Sequence, residues 1–388
     1  MRILLIAPQP FYTERGTPIA VRLLAETLCD DGHQVDLLTY HLGTDITYPN
    51  LTVVRCAAVP GIRDVPIGIS LKKILCDISL SWRMLRMAWR TRYDVIHAVE
   101  ESLFPAAFLN VFQKRRLVYD MDSLLSEQLA DKWQALRPAI RVLGALERAA
   151  IRRCDRVLAV CEDLAQKVRE YVPAQNVIVL PDVPMPSSVS SIDNELLREH
   201  LRAGEILLLY VGNLEHYQGI DLLLTALSHI DASHSYKLIV IGGAADHIEQ
   251  YQRKAAELGL GDRVQFLGPR PVGALTHYLD QADILMSPRS LGQNTPMKIY
   301  SYMQAGKPIL ATRIRSHTQV LDDTCALLTA PTPEALAGGL VRLLQDSPLR
   351  HALGTAAASR VEAEFSLPVF QRRLRGAYEG LAVARGDV

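Results

Sequence analysis

The sequence predicts an α/β protein built from two doubly wound halves, and three observations predict it. Short runs rich in Val, Ile and Leu recur between longer segments of helical period. Both faces of each run are apolar, as strands of a parallel sheet covered by helices require. The alternation breaks once, between Pro181 and Gly204, where Pro181, Pro184, Pro186 and the four serines within Ser187–Ser191 punctuate the chain, and then it restarts. At 388 residues the chain has room for two such domains.

Taken in order, strands are expected in the first half at Ile3–Ala7, Gln34–Thr39, Asp94–Val99, Arg116–Asp120, Val157–Cys161 and Val177–Leu180. In the second half they are expected at Ile206–Val211, Lys237–Gly242, Val264–Gly268, Ile284–Ser287, Pro308–Thr312 and Ala326–Thr329. The resulting division is residues 1–183 for the first domain, 184–204 for a linker, 205–366 for the second domain and 367–388 for a last helix. Ligands of open parallel sheets bind beyond the carboxyl ends of the strands, so the expected site lies in a cleft between the halves.

Composition narrows the class. Hydrophobic residues make up 49% and charged residues 22%, with 42 basic against 42 acidic side chains. A net charge near zero argues against a protein held to nucleic acid by long-range attraction, and leaves a local basic patch open. No apolar run approaches the roughly 18 residues of a spanning helix. The opening apolar segment is too short for a signal peptide and stops at Pro8, so a cytoplasmic protein is expected. Six cysteines without a C-x-x-C pair indicate neither a zinc site nor a disulfide framework, and read as buried thiols.

Two strand-to-helix turns share one piece of chemistry, Gly16-Thr17-Pro18 and Asn294-Thr295-Pro296. Each reads as Thr at N-cap and Pro at the first helical position, with the helix beginning at its proline. Such a start offers free N–H groups and the positive end of the dipole to a phosphate, although Thr-Pro also opens helices with no ligand. In the second turn Arg289 precedes the helix start and Lys298 falls in its first turn, where the dipole disfavours a cation unless an anion sits there. Gly306-Lys307 is followed by Pro308 and is therefore not a P-loop.

The segment Ser287–Thr312, reading SPRSLGQNTPMKIYSYMQAGKPILAT, resembles the donor-binding signature of family 4 glycosyltransferases of the GT-B fold. Tyr210-Val211-Gly212-Asn213-Leu214, Gln218-Gly219, Val264–Gly268 and Ala282-Asp283-Ile284 are similar to that family's blocks, in the same order. The resemblance covers nearly the whole chain. It implies two Rossmann-like domains facing across a cleft, with the last helix crossing back to the first. It also implies a retaining transfer of a sugar from a nucleotide-sugar donor held by the second domain to an acceptor on the first, with no metal or other cofactor.

Position by position the likeness is uneven. The family's Glu-x7-Glu pair falls on Gln293 and Ser301, which can still hydrogen-bond a sugar and a ribose hydroxyl. The Arg and Lys that usually neutralise the diphosphate fall on Asn213 and Gln218. Arg289 and Lys298 are the expected replacements, with helix-start N–H groups at Gly16-Thr17 and Thr295, and with Gly212, Gly268 and Asn294 completing the donor side. Asp122 stands where the family often has a His near the reacting sugar. It either orients a donor hydroxyl or stabilises the anomeric carbon, or else the role is capping, since Asp122 or Ser123 also reads as the N-cap of the next helix. Glu100 and Glu101 end another strand and are the acceptor-side candidates, a solvated loop being the alternative.

The segment Ile74–Arg92, with four arginines and two tryptophans between Trp82 and Arg92, suits an interfacial helix on an anionic membrane. The alternative is an ordinary amphipathic helix with Trp82, Leu85 and Trp89 as its core stripe. The reading as a whole is a glycosyltransferase acting on a lipid-linked or polysaccharide acceptor, cytoplasmic or peripheral at the inner face of the membrane. A non-catalytic GT-B protein that binds a nucleotide or supports a partner is the second reading, and a nucleotide-sugar epimerase the third.

Overall fold

In the computed structural model of the chain, residues 1–14, 16–66, 70–132, 137–185 and 195–381 are described. The chain divides into two compact units, Met1–Pro181 with Phe370–Val388, and Asp182–Val369. Residues 186–194 of the expected linker and 382–388 of the expected last helix lie outside the described residues.

The first unit is a seven-stranded parallel sheet of β1 (Arg2–Ala7), β2 (Gln34–Thr39), β3 (Leu51–Arg55), β4 (Val95–Val99), β5 (Arg116–Met121), β6 (Arg156–Ala159) and β7 (Val177–Val179). The strand order is β3-β2-β1-β4-β5-β6-β7, so the winding reverses between β1 and β4. The central strands are buried on both faces, Ile3 through Ala7 and Val95 through Val99 among them. Strand β3 is not among the strands expected from the sequence. It is a half-exposed edge strand, so its pattern is not that of a run covered on both sides. Helices α1 (Gly16–Asp30), α2 (Leu71–Arg90), α3 (Leu103–Gln113), α4 (Leu125–Lys132), α5 (Arg137–Ile151) and α6 (Glu162–Arg169) complete the winding.

The second unit is a six-stranded parallel sheet of β8 (Ile206–Val211), β9 (Tyr236–Ile241), β10 (Val264–Gly268), β11 (Ile284–Ser287), β12 (Ile309–Thr312) and β13 (Leu327–Thr329). Its order is β10-β9-β8-β11-β12-β13, with the reversal between β8 and β11. The helices are α7 (Ile220–Ser228), α8 (Ala245–Glu257), α9 (Leu275–Gln281), α10 (Met297–Gln304), α11 (Arg315–Thr318), α12 (Pro333–Gln345) and α13 (Ser347–Phe365). Residues 195–204 of the expected linker pack into this unit. Leu197 is fully buried and its N–H donates to Gln281 Oε1 at 2.7 Å, while Glu195 holds Arg270 through both oxygens. The final helix α14 (Leu367–Tyr378) belongs to the first unit from Phe370 onward.

Three local expectations are corrected. Helix α1 begins at Gly16, with Thr17 and Pro18 inside its first turn, because the N–H that proline lacks has no intrahelical partner there. Helix α10 begins at Met297 with Pro296 as its N-cap, and Thr295 makes no cap bond. The pyrrolidine ring fixes φ, here −66°, but not ψ, and a ψ of 132° keeps Pro296 outside the helix. In α2 the buried stripe is Cys76, Leu80, Met84 and Ala88, on the side opposite Trp82 and Trp89. The small Cys and Ala let the helix lie close to the sheet, and both tryptophans are exposed. Among the described residues no helix is long and apolar enough to cross a membrane.

Candidate active site

The second unit's reversal point sends two loops out side by side, one after β8 and one after β11. This is where open α/β sheets bind ligands. The β11 loop carries Arg289, whose Nε donates to Leu291 O at 2.7 Å and whose Nη1 donates to Asn294 O at 3.3 Å. Its guanidinium lies 5.3 Å from the centre of the Tyr217 ring. Lys298, in the first turn of α10, donates to Gln218 Oε1 at 3.3 Å and sits 3.9 Å from the Tyr210 ring centre.

Both cations are buried, and among the described residues no carboxylate neutralises either one. Burial pulls each below its ordinary pKa, and for Lys298 the nearby Arg289 charge adds to the fall. Glycines leave room for this arrangement. A Cβ on Gly212 would stand 3.3 Å from Lys298 Nζ, and one on Gly292 would overlap the Arg289 guanidinium. Thr295 is 3% exposed, with an Oγ1 that finds no hydrogen-bond partner among the described residues beside the α10 start. Two buried positive charges, a buried hydroxyl and a helix N-terminus together make a site suited to an anion.

The structure thus brings Gly212, Gln218, Arg289, Asn294, Thr295 and Lys298 together, and gives the side chain or backbone of other expected donor residues different partners. Asn213 is exposed and its Oδ1 accepts from Glu215 N at 3.3 Å. Gln293 is exposed, with its carbonyl taken by Gln319 Nε2 at 2.7 Å. Ser301 is buried and its Oγ accepts from Met185 N at 3.0 Å, a bond internal to the unit. Gly268 ends β10, two strands from β8.

In the first unit, Glu100, Glu101 and Asp122 gather at the ends of β4 and β5, each half-buried. Glu100 holds a left-handed φ of 50°, uncommon for a residue with a side chain. Burial raises its carboxyl pKa well above the ordinary value, and the neighbouring Glu101 and Asp122 charges add to the rise. Burial likewise raises Asp122. The capping alternative for Asp122 is overturned. The start of α4 is held by Glu147 of α5, which accepts from Leu125 N at 2.8 Å and from Ser126 Oγ at 2.5 Å. Gly16 and Thr17 open α1 of this unit, Gly16 exposed and Thr17 half-buried.

Several residues escaped the sequence reading. Lys73 of α2 pairs with Glu101, donates to Pro8 O at 3.1 Å, and lies 5.6 Å from the Tyr40 ring centre. Tyr40 in turn donates to Asp77, whose carboxyl is pushed up to about 6, chiefly by burial. Tyr40 follows β2 whereas Lys73 and Asp77 stand one turn apart in α2, and nothing in the sequence distinguishes Lys73 from its neighbour Lys72.

Residues 15–182 match the family model described as "Glycosyl transferase 4-like domain", and residues 193–360 match "Glycosyl transferases group 1". The chain belongs to the family 4 glycosyltransferases. This glycosyltransferase is 25% identical to the phosphatidyl-myo-inositol mannosyltransferase of Mycobacterium leprae, over 100% of this chain and 99% of that one. It is 29% identical to the D-inositol 3-phosphate glycosyltransferase of Corynebacterium diphtheriae, over 45% of this chain but only 42% of that protein's length. Among solved structures, sucrose-phosphate synthase from Thermosynechococcus elongatus superposes with a TM-score of 0.78 at 22% identity, covering 98% of each chain. Anabaena HepE in complex with UDP-glucose gives 0.72 at 17%, covering 97% of this chain and 98% of that one. With its two parallel sheets, the glycosyltransferase has the GT-B fold of two Rossmann-like domains.

Proposed function

We propose that this glycosyltransferase moves a sugar, with retention at the anomeric carbon, from a nucleotide-sugar donor to a lipid-linked or polysaccharide acceptor. The observation that carries the reading is the buried pair Arg289 and Lys298, which no carboxylate among the described residues neutralises. Burying two like charges is costly until an anion joins them, and a departing nucleoside diphosphate is an anion whose charge grows in the transition state. Arg289, Lys298 and the first-turn N–H groups of α10 meet that charge, so the chain's own residues do the work given elsewhere to a metal. As the bond from anomeric carbon to phosphate oxygen breaks, an acceptor oxygen bonds to the same face of that carbon, and the acceptor's proton leaves on the phosphate. Asp122 is proposed to steady the reacting sugar, with Glu100 and Glu101 on the acceptor side. Asp122 is available for this because Glu147 does the capping.

The test is a melting series with free nucleoside diphosphates, without and with added divalent metal. One diphosphate is expected to raise the melting temperature without metal, a ligand at 100 times its Kd contributing about 2.7 kcal/mol. Arg289→Ala and Lys298→Ala should each weaken that ligand about ten- to hundredfold, as expected for charge-assisted bonds of about 1.5–3 kcal/mol. Unchanged affinity in both would sink the assignment. No shift with any diphosphate would favour the non-catalytic reading.

For the acceptor, the outward side of α2 supports contact with an anionic membrane. Leu71, Ile78, Trp82 and Trp89 are exposed along one line, Phe108 and Phe112 of α3 are exposed as well, and Arg83, Arg86 and Arg90 accompany them. The single carboxylate of α2, Asp77, is instead hydrogen-bonded to Tyr40. An apolar line with basic flanks and no outward acid suits the headgroup region of an anionic bilayer.

A further inference from the structure

Beneath the anion site lies a hydrogen-bonded chain that the proposed chemistry does not touch. His317 of α11 is fully buried, so it meets neither solvent nor ligand. Its Nδ1 stands 2.8 Å from Thr312 O, and its Nε2 stands 2.9 Å from Ser287 Oγ. A carbonyl oxygen only accepts, so Nδ1 carries the proton and Nε2 is left to accept from the Ser287 hydroxyl. Thr312 Oγ1 then donates to the carbonyl of Arg289 itself. Ser287 and Thr312 are the last residues of the adjacent strands β11 and β12, and Arg289 follows Ser287 with only Pro288 between.

We infer that His317 is a positioning residue of the anion site, tying the ends of β11 and β12 together so that the Arg289 backbone, and through it the guanidinium, is held in place. The inference rests on Arg289 belonging to an anion site, as proposed above. The ring must offer a donor on one side and an acceptor on the other, which neutral imidazole does and an aliphatic side chain of similar size does not. The surroundings keep it neutral. Burial, together with the Lys298 and Arg289 charges, holds its pKa down at about 4 despite the opposing bond to Thr312 O. Small errors in the placement of a charged group are costly where a ligand must be met at fixed distance, which is why an untouched residue can matter to binding.

The experiment is a double-mutant cycle read by titration with inorganic pyrophosphate. The variants are Arg289→Ala, His317→Leu and Thr312→Val, with each of the last two also combined with Arg289→Ala. Arg289→Ala should weaken pyrophosphate binding at least tenfold. His317→Leu and Thr312→Val should each weaken it severalfold, and neither should weaken it further once Arg289 is gone. Thr312→Val keeps the side chain's shape, so it carries the test if His317→Leu does not fold. Folded variants that bind as the wild type does, or that lose equally with and without Arg289, would overturn the positioning role. If Arg289→Ala itself leaves binding unchanged, the anion-site reading fails first and takes this inference with it.

Discussion

Asp122 and Glu147 show how one carboxylate can release another. Because Glu147 reaches from α5 to hold the start of α4, Asp122 has no capping duty, and among the described residues it forms no hydrogen bond. Its raised pKa means the folded state prefers the neutral form, so whatever stability it contributes is complete below its ordinary value of 3.8 and is lost as pH rises. Asp122→Asn should therefore melt progressively higher than the wild type as pH rises from about 4, while sugar transfer falls. A melting series across pH beside a turnover assay reads both. Unchanged turnover would return Asp122 to a structural role. The sequence exposed the Arg289 and Lys298 pair because one short segment contains both residues and a helix start that disfavours cations. It hid the cluster of Lys73, Asp77 and Tyr40 because only the fold brings Tyr40, after β2, to the α2 residues Lys73 and Asp77.

Helix α2 and strand β3 mark where pattern reading ends. The twelve expected strands all occur, since a continuous apolar run flanked by turns leaves few alternatives. Strand β3 is short, lies at the sheet edge and pairs with β2 alone, so no such run announces it. In α2 the sequence offers two apolar stripes, and size alone suggests that the tryptophans go inside. Packing chose the smaller residues, and the tryptophans were left outside. A consequence can be measured: Trp82→Glu with Trp89→Glu should leave the melting temperature nearly unchanged, because neither ring is in the core, and should abolish flotation with anionic vesicles. If the wild type does not float with such vesicles, α2 is no membrane helix. The Thr-Pro turns were legible as helix starts but not to the residue, because proline sets φ while the loop sets ψ.

The first unit is assembled from both ends of the chain. Leu374 of α14 is fully buried, Arg375 pairs with Asp31, and Tyr378 Oη lies 2.6 Å from Nδ1 of the buried His97. Burial pushes the His97 pKa down to about 3, so the ring is neutral, and among the described residues its Nε2 has no partner. Tyr378→Phe would leave both ring nitrogens unpaired and should cost about 1–3 kcal/mol, read as a lower melting midpoint. A midpoint equal to that of the wild type would show that the bond adds nothing. The division into two wound sheets was readable from the single break in the alternation.

Because the last helix completes the earliest strands, the order of synthesis and the order of folding diverge. The ribosome makes Met1–Pro181, then all of Asp182–Val369, and only then the segment that covers the first sheet. At about 5–20 residues per second that interval is on the order of 10–40 s. Only at its end does the second unit have every residue it needs, and throughout it the apolar surface awaiting Leu374 and Tyr378 stays open to chaperones or to neighbouring nascent chains. A stop codon just before Phe370 would thus injure the unit translated first and spare the unit translated after it.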